Sequence, residues 1–288
     1  MLSNGISLEL VFGILLFLLS FLTQFNMDLS LKNKNALVCG STQGIGKAIA
    51  IELARNGANI ILFARNEASL KSVVQELDKT RGQSHDYLVA DFHKPENVLK
   101  TIDQFLTLGK TVHILVNNTG GPPHGTVMES DADKFMAGFS AHIINNQNLV
   151  TRLAPGMKES GYGRIINVIS ISVKTPIAGL GVSNTIRGAV ASWAKTLAHE
   201  LGPFGITVNN ILPGYTKTGR LDELFSKKAE EAGISHEEFE QQASDKIPAK
   251  RLGGPEEMGY AAAFLASPSA GYINGINLPV DGGITPTL

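Results

Sequence analysis

The chain has a single cysteine, Cys39, in 288 residues. One thiol forms no intrachain disulfide and supports no cysteine-based metal site. Inside a predicted strand it reads as a small buried apolar side chain. An excess of charge is missing too: 25 Lys and Arg stand against 26 Asp and Glu, and the basic residues form no long cluster. Binding to a phosphate backbone needs a basic face, so nucleic acid is a poor candidate partner and none is expected. Internal repeats and a second compositional block are also absent. What is present is a hydrophobic content of 43% against 18% charged residues, enough for a full core in one large domain.

A long apolar run occurs once, from Ile6 to Phe25, broken by Glu9 and Gln24. Spanning a bilayer core takes about 20 residues. No Lys or Arg precedes the run and no small-x-small site follows it, which is a poor fit to a secretory signal. Two readings stand. Residues 1–27 are a hydrophobic membrane anchor, with Lys32 and Lys34 placing the following domain in the cytoplasm. Alternatively, translation starts at Met27, whose following residues lead directly into the first strand.

The segment Cys39-Gly40-Ser41-Thr42-Gln43-Gly44-Ile45-Gly46 follows the apolar run Ala36–Val38 and opens an amphipathic stretch, Lys47 to Asn56. Strand, glycine turn and helix in that order build a phosphate cradle. Gly40 turns the chain out of the strand, Gly44 leaves room for a pyrophosphate, and Gly46 lets the helix pack close to the sheet. Free amides at the helix start, with the helix dipole behind them, face the phosphates. The spacing G-x-x-x-G-x-G is weak alone; its position between strand and helix gives it weight against an ordinary glycine turn.

Further strands are predicted at Asn59–Phe63, Ser84–Val89, Val112–Val116, Gly163–Ile169, Thr207–Leu212 and Ile276–Val280. Helices are predicted at Gly44–Asn56, Glu67–Lys79, Pro95–Leu108, Ala132–Glu159, Val182–Leu201 and Pro255–Ala266. Short buried strands alternating with helices imply an α/β fold: a single doubly wound Rossmann-type domain, residues 28–288, with a mostly parallel seven-stranded sheet. Two loops leave the carboxyl edge where ligands bind in such sheets. They are Gly120–Gly125, which contains His124, and a charged insertion from Gly219 to Ile247 with Leu221, Leu224 and Phe225 at helical spacing. The insertion reads either as a lid over substrate or as a solvated helical excursion.

The ordered set of motifs resembles the short-chain dehydrogenase/reductase superfamily over essentially all of residues 28–288, most like its β-ketoacyl carrier-protein reductase members. The resemblance rests on Gly40, Gly44 and Gly46; on Asp91; on Asn117-Asn118-Thr119-Gly120; on Asn167-Val168-Ile169-Ser170; on Leu212-Pro213-Gly214-Tyr215-Thr216-Lys217-Thr218; and on Val280-Asp281-Gly282-Gly283. It implies a dinucleotide held by the Gly40–Gly46 turn, with Ser41, Thr42, Gln43 and Ile45 inside it. Asp91 is then expected at the adenine, Asn118 and Gly120 along the cofactor, and Pro213, Gly214, Thr216 and Thr218 beside the nicotinamide. NAD-using relatives carry an acid where this chain has Ala64, and Arg65 follows. A guanidinium suits a 2′-phosphate, so NADP is expected over NAD. Homo-oligomers, tetramer or dimer, are implied by the same resemblance, with Gly271–Leu288 at the interface.

The family's catalytic tetrad is altered. Aligned on Arg187-Gly188-Ala189-Val190, Ser170 matches the catalytic serine. The tyrosine position holds Ser183, the lysine position Arg187, and the asparagine position His142. A serine hydroxyl is a far weaker acid than a phenol, and arginine stays protonated. Ser183 and Arg187 can still bind substrate and the nicotinamide ribose. His142, His124 and Tyr215 are the candidate proton donors. The expected function is an NADP-dependent oxidoreductase acting on a carbonyl or secondary alcohol of small, acyl-like compounds. A non-catalytic NADP-binding sensor or structural subunit is one alternative, and histidine-based elimination or isomerisation another.

Overall fold

The computed structural model describes residues 27–287. The segment expected to anchor the protein lies outside them. Among the described residues no helix is long and apolar enough to cross a membrane. Seven strands among the described residues form one sheet: β1 (Asn35–Cys39), β2 (Asn59–Ala64), β3 (Asp86–Val89), β4 (Ile114–Asn117), β5 (Gly163–Val168), β6 (Ile206–Pro213) and β7 (Asn277–Val280). Their order is β3-β2-β1-β4-β5-β6-β7, and every neighbouring pair is parallel, where the sequence led us to expect mostly parallel pairing.

Alternation along the strands divides the core into two layers. Ala36, Val38, Ile60, Leu62, Ile114 and Val116 face one side, where they meet α1 (Gly44–Arg55) and the helix before β7, Pro255–Ala266. Leu37, Cys39, Ile61, Phe63 and Leu115 face the other, against side chains such as Ile102, Leu149, Leu153 and Ala194. Burial on both faces is why these strands read as continuous apolar runs. A chain of asparagine amides crosses the sheet inside it. Asn117 donates to Asn167, Asn167 to Asn210, and Asn210 to Asn277, each at 2.8 Å.

The remaining helices are α2 (Glu67–Glu76), α3 (Pro95–Leu106), α4 (Ala132–Phe139), α5 (Asn145–Glu159), α6 (Gly181–Leu201), α7 (Gly219–Ala232), α8 (His236–Asp245) and α9 (Pro255–Ala266). The single helix expected over Ala132–Glu159 is two, joined by a π-helical turn at Ser140–Ile144. Ala141, His142 and Ile143 are consecutive and all buried. A regular 3.6-residue turn turns one of three such neighbours outward; the wider turn keeps all three inside.

The charged insertion folds as α7 and α8. Thr218 caps α7 by accepting from Leu221 N, and Ser235 caps α8 by accepting from Glu238 N. Leu221, Phe225, Ala243, Ile247 and Leu252 form a small core of their own, with Phe225 edge-on to Tyr215 and Phe239. Truncating so buried a phenyl ring costs about 3 kcal/mol. Phe225→Ala is therefore expected to loosen this pair of helices. Limited trypsinolysis at Lys227 and Lys228 checks it: cleavage at the wild-type rate would show that the two helices do not depend on this packing.

Candidate active site

The carboxyl ends of β1 to β6 open into a cavity of about 520 Å³. The glycine turn forms its floor. Gly40 and Gly44 have φ of 59° and 54°, in the left-handed region that favours glycine. A Cβ on Gly40 would lie 2.2 Å from the Asn118 carbonyl oxygen, and one on Gly46 2.2 Å from the Gly40 oxygen. β1, the turn and β4 are thus in direct backbone contact. Asn118 fixes this by donating Nδ2 to the Cys39 and Gly40 carbonyls at 3.3 and 3.2 Å. Helix α1 begins at Gln43, whose side chain makes no cap, while Asn66, Asp131, Thr218 and Ser235 do cap their helices. No acidic residue occupies the first turn of α1. Its first amides and dipole are left facing the cavity, the arrangement that receives phosphate.

Most of the residues singled out in the sequence line this one cavity. Gly40, Thr42, Gln43, Gly44 and Ile45 lie below, and Arg65 and Asp91 toward β2 and β3. Asn118 and Gly120 follow β4, and Pro213, Gly214, Thr216 and Thr218 follow β6. Ser170, Ser183 and Arg187 complete the wall, with His124 beside them. Ser170 is extended, and its hydroxyl accepts from Ser172 N at 3.1 Å.

Four expected residues do not line the cavity. Ser41 is fully buried, and its hydroxyl accepts from Phe63 N at 3.0 Å, pinning the turn to β2. Gly46 is covered by Gly40. His142 lies behind the wall, 2% exposed. Tyr215 is also turned away, into the small core of the α7–α8 pair.

His142 touches Arg187 instead of open space. Arg187 Nη1 lies 3.5 Å from His142 Nδ1 and donates to the Val168 carbonyl at 3.1 Å. A guanidinium only donates, so Nδ1 presents its lone pair and the Thr119 hydroxyl donates to it at 2.8 Å. Burial, then the positive charges of Arg187 and Arg220, hold the His142 pKa well below 6.5. The imidazole is neutral at pH 7. The unfolded chain therefore takes up a proton below pH 6.5 that the folded chain refuses, and stability falls on acidification. His85 and His113, also lowered by burial, act in the same direction. His142→Gln is expected to flatten part of the decline in Tm between pH 7.5 and 5.5; an unchanged slope would remove His142 from the effect.

Sequence reasoning missed Thr119 and Arg220. Thr119 was visible only as one letter of the Asn-Asn-Thr-Gly motif. Arg220 stands in the first turn of α7 and reaches back to the loop after β4, donating to the carbonyls of Gly121 and Pro122 at 3.0 Å each. The insertion is thereby latched over the mouth of the cavity, a long-range contact with no sequence signature.

Free amides at a helix start, below a cavity on the carboxyl edge of a doubly wound sheet, make this a dinucleotide-binding α/β protein by construction. The profile of a family described as Enoyl-(Acyl carrier protein) reductase matches residues 40–285, and the chain belongs to the short-chain dehydrogenase/reductase superfamily. It is 30% identical over 257 residues to the NADPH-dependent reductase BacG of Bacillus subtilis, covering 88% of this chain and 98% of that protein. It is 32% identical over 255 residues to the 3-oxoacyl-[acyl-carrier-protein] reductase FabG of Haemophilus influenzae, covering 88% and 99%. The crystal structure of L-sorbose reductase from Gluconobacter frateurii, complexed with NADPH and L-sorbose, superposes with a TM-score of 0.85 at 32% identity, covering 91% and 100%.

Proposed function

We propose that this chain is an NADP-dependent oxidoreductase interconverting a small carbonyl compound and its alcohol, with Ser183 and Arg187 where its relatives carry tyrosine and lysine. The observation that carries this reading is the uncapped start of α1 beneath glycines that tolerate no Cβ, continuous with the pocket of Ser170 and Ser183. Cofactor and substrate then share one enclosure. The NADPH-dependent relatives and the NADPH-bound sorbose reductase support the cofactor.

The Gly40–Gly46 turn and the amides of α1 would hold the pyrophosphate, Arg65 the 2′-phosphate, and Asp91 the adenine side. Bound NADPH supplies hydride. Ser170 and Ser183 donate hydrogen bonds to the substrate oxygen. Arg187, its pKa lowered to about 10 by burial, stays cationic at pH 7 and stabilises negative charge developing on that oxygen. His142 positions Arg187 from behind. His124, at the cavity mouth, is the imidazole best placed to pass a proton from solvent. The same reading includes a homo-oligomer, supported by exposed Phe204, Tyr260 and Tyr272, and cytoplasmic placement, supported by Lys32 and Lys34.

Removing one charge-assisted contact to the 2′-phosphate costs about 2 kcal/mol, about 30-fold in affinity. Arg65→Ser is expected to raise the Kd for NADPH by that factor and leave NADH unchanged, measured by calorimetry beside a carbonyl-reduction screen. Wild-type protein that binds neither dinucleotide would end the proposal. Tight NADPH binding without turnover on any carbonyl compound would favour the sensor or structural alternative.

A further inference from the structure

Resting on the reading above, we infer that Arg187 and Arg220 form an anion seat at the substrate end of the cavity, and that the substrate is a carboxylate-bearing carbonyl compound such as an oxo acid. Arg187 is 8% exposed, and among the described residues neither guanidinium is ion-paired. Both contacts of Arg187 use Nη1, so Nη2 remains for a ligand. Arg220 spends one bond from each terminal nitrogen on Gly121 and Pro122. A guanidinium has five N–H donors, so the others stay available at the mouth.

Among the described residues Asp91 is the only acidic one lining the cavity. It follows β3, which is four strand spacings from β5 and Ser170, ~19 Å along the sheet. It neutralises nothing at the substrate end. Lys227 and Lys228 add positive potential around His124, offset in part by Glu231 on the same helix. Arg220 is exposed and partly offset by Glu223 on its own helix, but Arg187 is a buried cation without a counter-charge, which is costly to keep. A substrate that brings the counter-charge recovers that cost on binding, and a planar carboxylate matches the guanidinium fork.

The test uses the full chain loaded with NADP⁺, which cannot reduce a ketone, so binding is read without turnover. Calorimetry compares 2-oxohexanoate, 3-oxohexanoate and 4-oxopentanoate with their methyl esters. The acids are expected to bind at least ~10-fold tighter than the esters. That preference should vanish in Arg220→Gln and persist in Arg220→Lys, with unchanged NADP⁺ affinity in both. No preference for the acids anywhere in the panel, absence of binding included, overturns the inference. So does a preference that survives Arg220→Gln. A Kd for NADP⁺ that rises ~10-fold in Arg220→Gln assigns the side chain to the cofactor phosphates and also overturns it. The proposed function fails separately, by failure of the wild-type chain to bind NADP⁺ or NADPH at all.

Discussion

Gly40→Ala is expected to weaken dinucleotide binding at least ~100-fold and to destabilise the fold by about 3 kcal/mol or more. Two costs add. At φ of 59° an alanine is strained by about 1–2 kcal/mol. The new methyl also lies 2.2 Å from the Asn118 carbonyl oxygen, a backbone atom that no side-chain rotation removes. Relief requires β1 and β4 to separate. That separation breaks the Asn118 bonds to Cys39 and Gly40 and shifts Asn118 and Gly120 along the cavity wall. NADPH affinity is then expected to fall at least ~100-fold, because the amides of α1 no longer converge. Gly109→Ala is the control: its φ is 69° and nothing lies within 4 Å of its Cβ. It should lose about 1 kcal/mol of stability and no affinity. Thermal melts and NADPH fluorescence titration separate the two. Wild-type affinity in a folded Gly40→Ala protein would show that the turn is not the phosphate cradle.

The difference between these two glycines also marks what sequence can carry. Gly40 and Gly109 are the same letter; strand, turn and helix around Gly40 gave it meaning. The strands were legible because burial on both faces makes them short, continuous apolar runs, and each predicted strand overlaps an observed one. The helix expected over Ala132–Glu159 was legible in extent but not in its π turn, since nothing local forces the wider turn around Ala141–Ile143. The cavity lining was legible where chain order fixes it, at the ends of consecutive parallel strands. Ser41 was misplaced for a geometric reason: in a turn of small polar residues, letters do not say which hydroxyl faces the ligand and which faces β2. Arg220 was invisible because its role lies in contacts to Gly121 and Pro122, about a hundred positions away in the chain.

Arg187→Met should move stability and activity in opposite directions. The native side chain is a buried cation, and burial with Arg220 nearby brings its pKa down to about 10. Charge is still retained at pH 7, so the fold carries the desolvation cost in full. Methionine fills a similar volume without charge. It leaves the Val168 carbonyl with one partner fewer, a cost of about 1 kcal/mol, against a larger desolvation term that is removed. The variant is expected to melt higher than wild type. Its kcat/KM should nevertheless fall ~10²–10³-fold, the range for losing one group that stabilises charge in the transition state. His142 reports the same change independently. With the Arg187 charge gone its pKa rises, although burial and Arg220 still hold it below 6.5. NMR titration of the imidazole therefore shifts even where catalysis is too slow to follow. A variant that melts lower and keeps its rate would mean that Arg187 is a structural residue. Positions at which an uncompensated charge is kept against the interest of the fold are where function is to be sought. Among the described residues that criterion marks Arg164 and Arg187, both buried and without an ion pair, and of the two Arg187 lines the cavity.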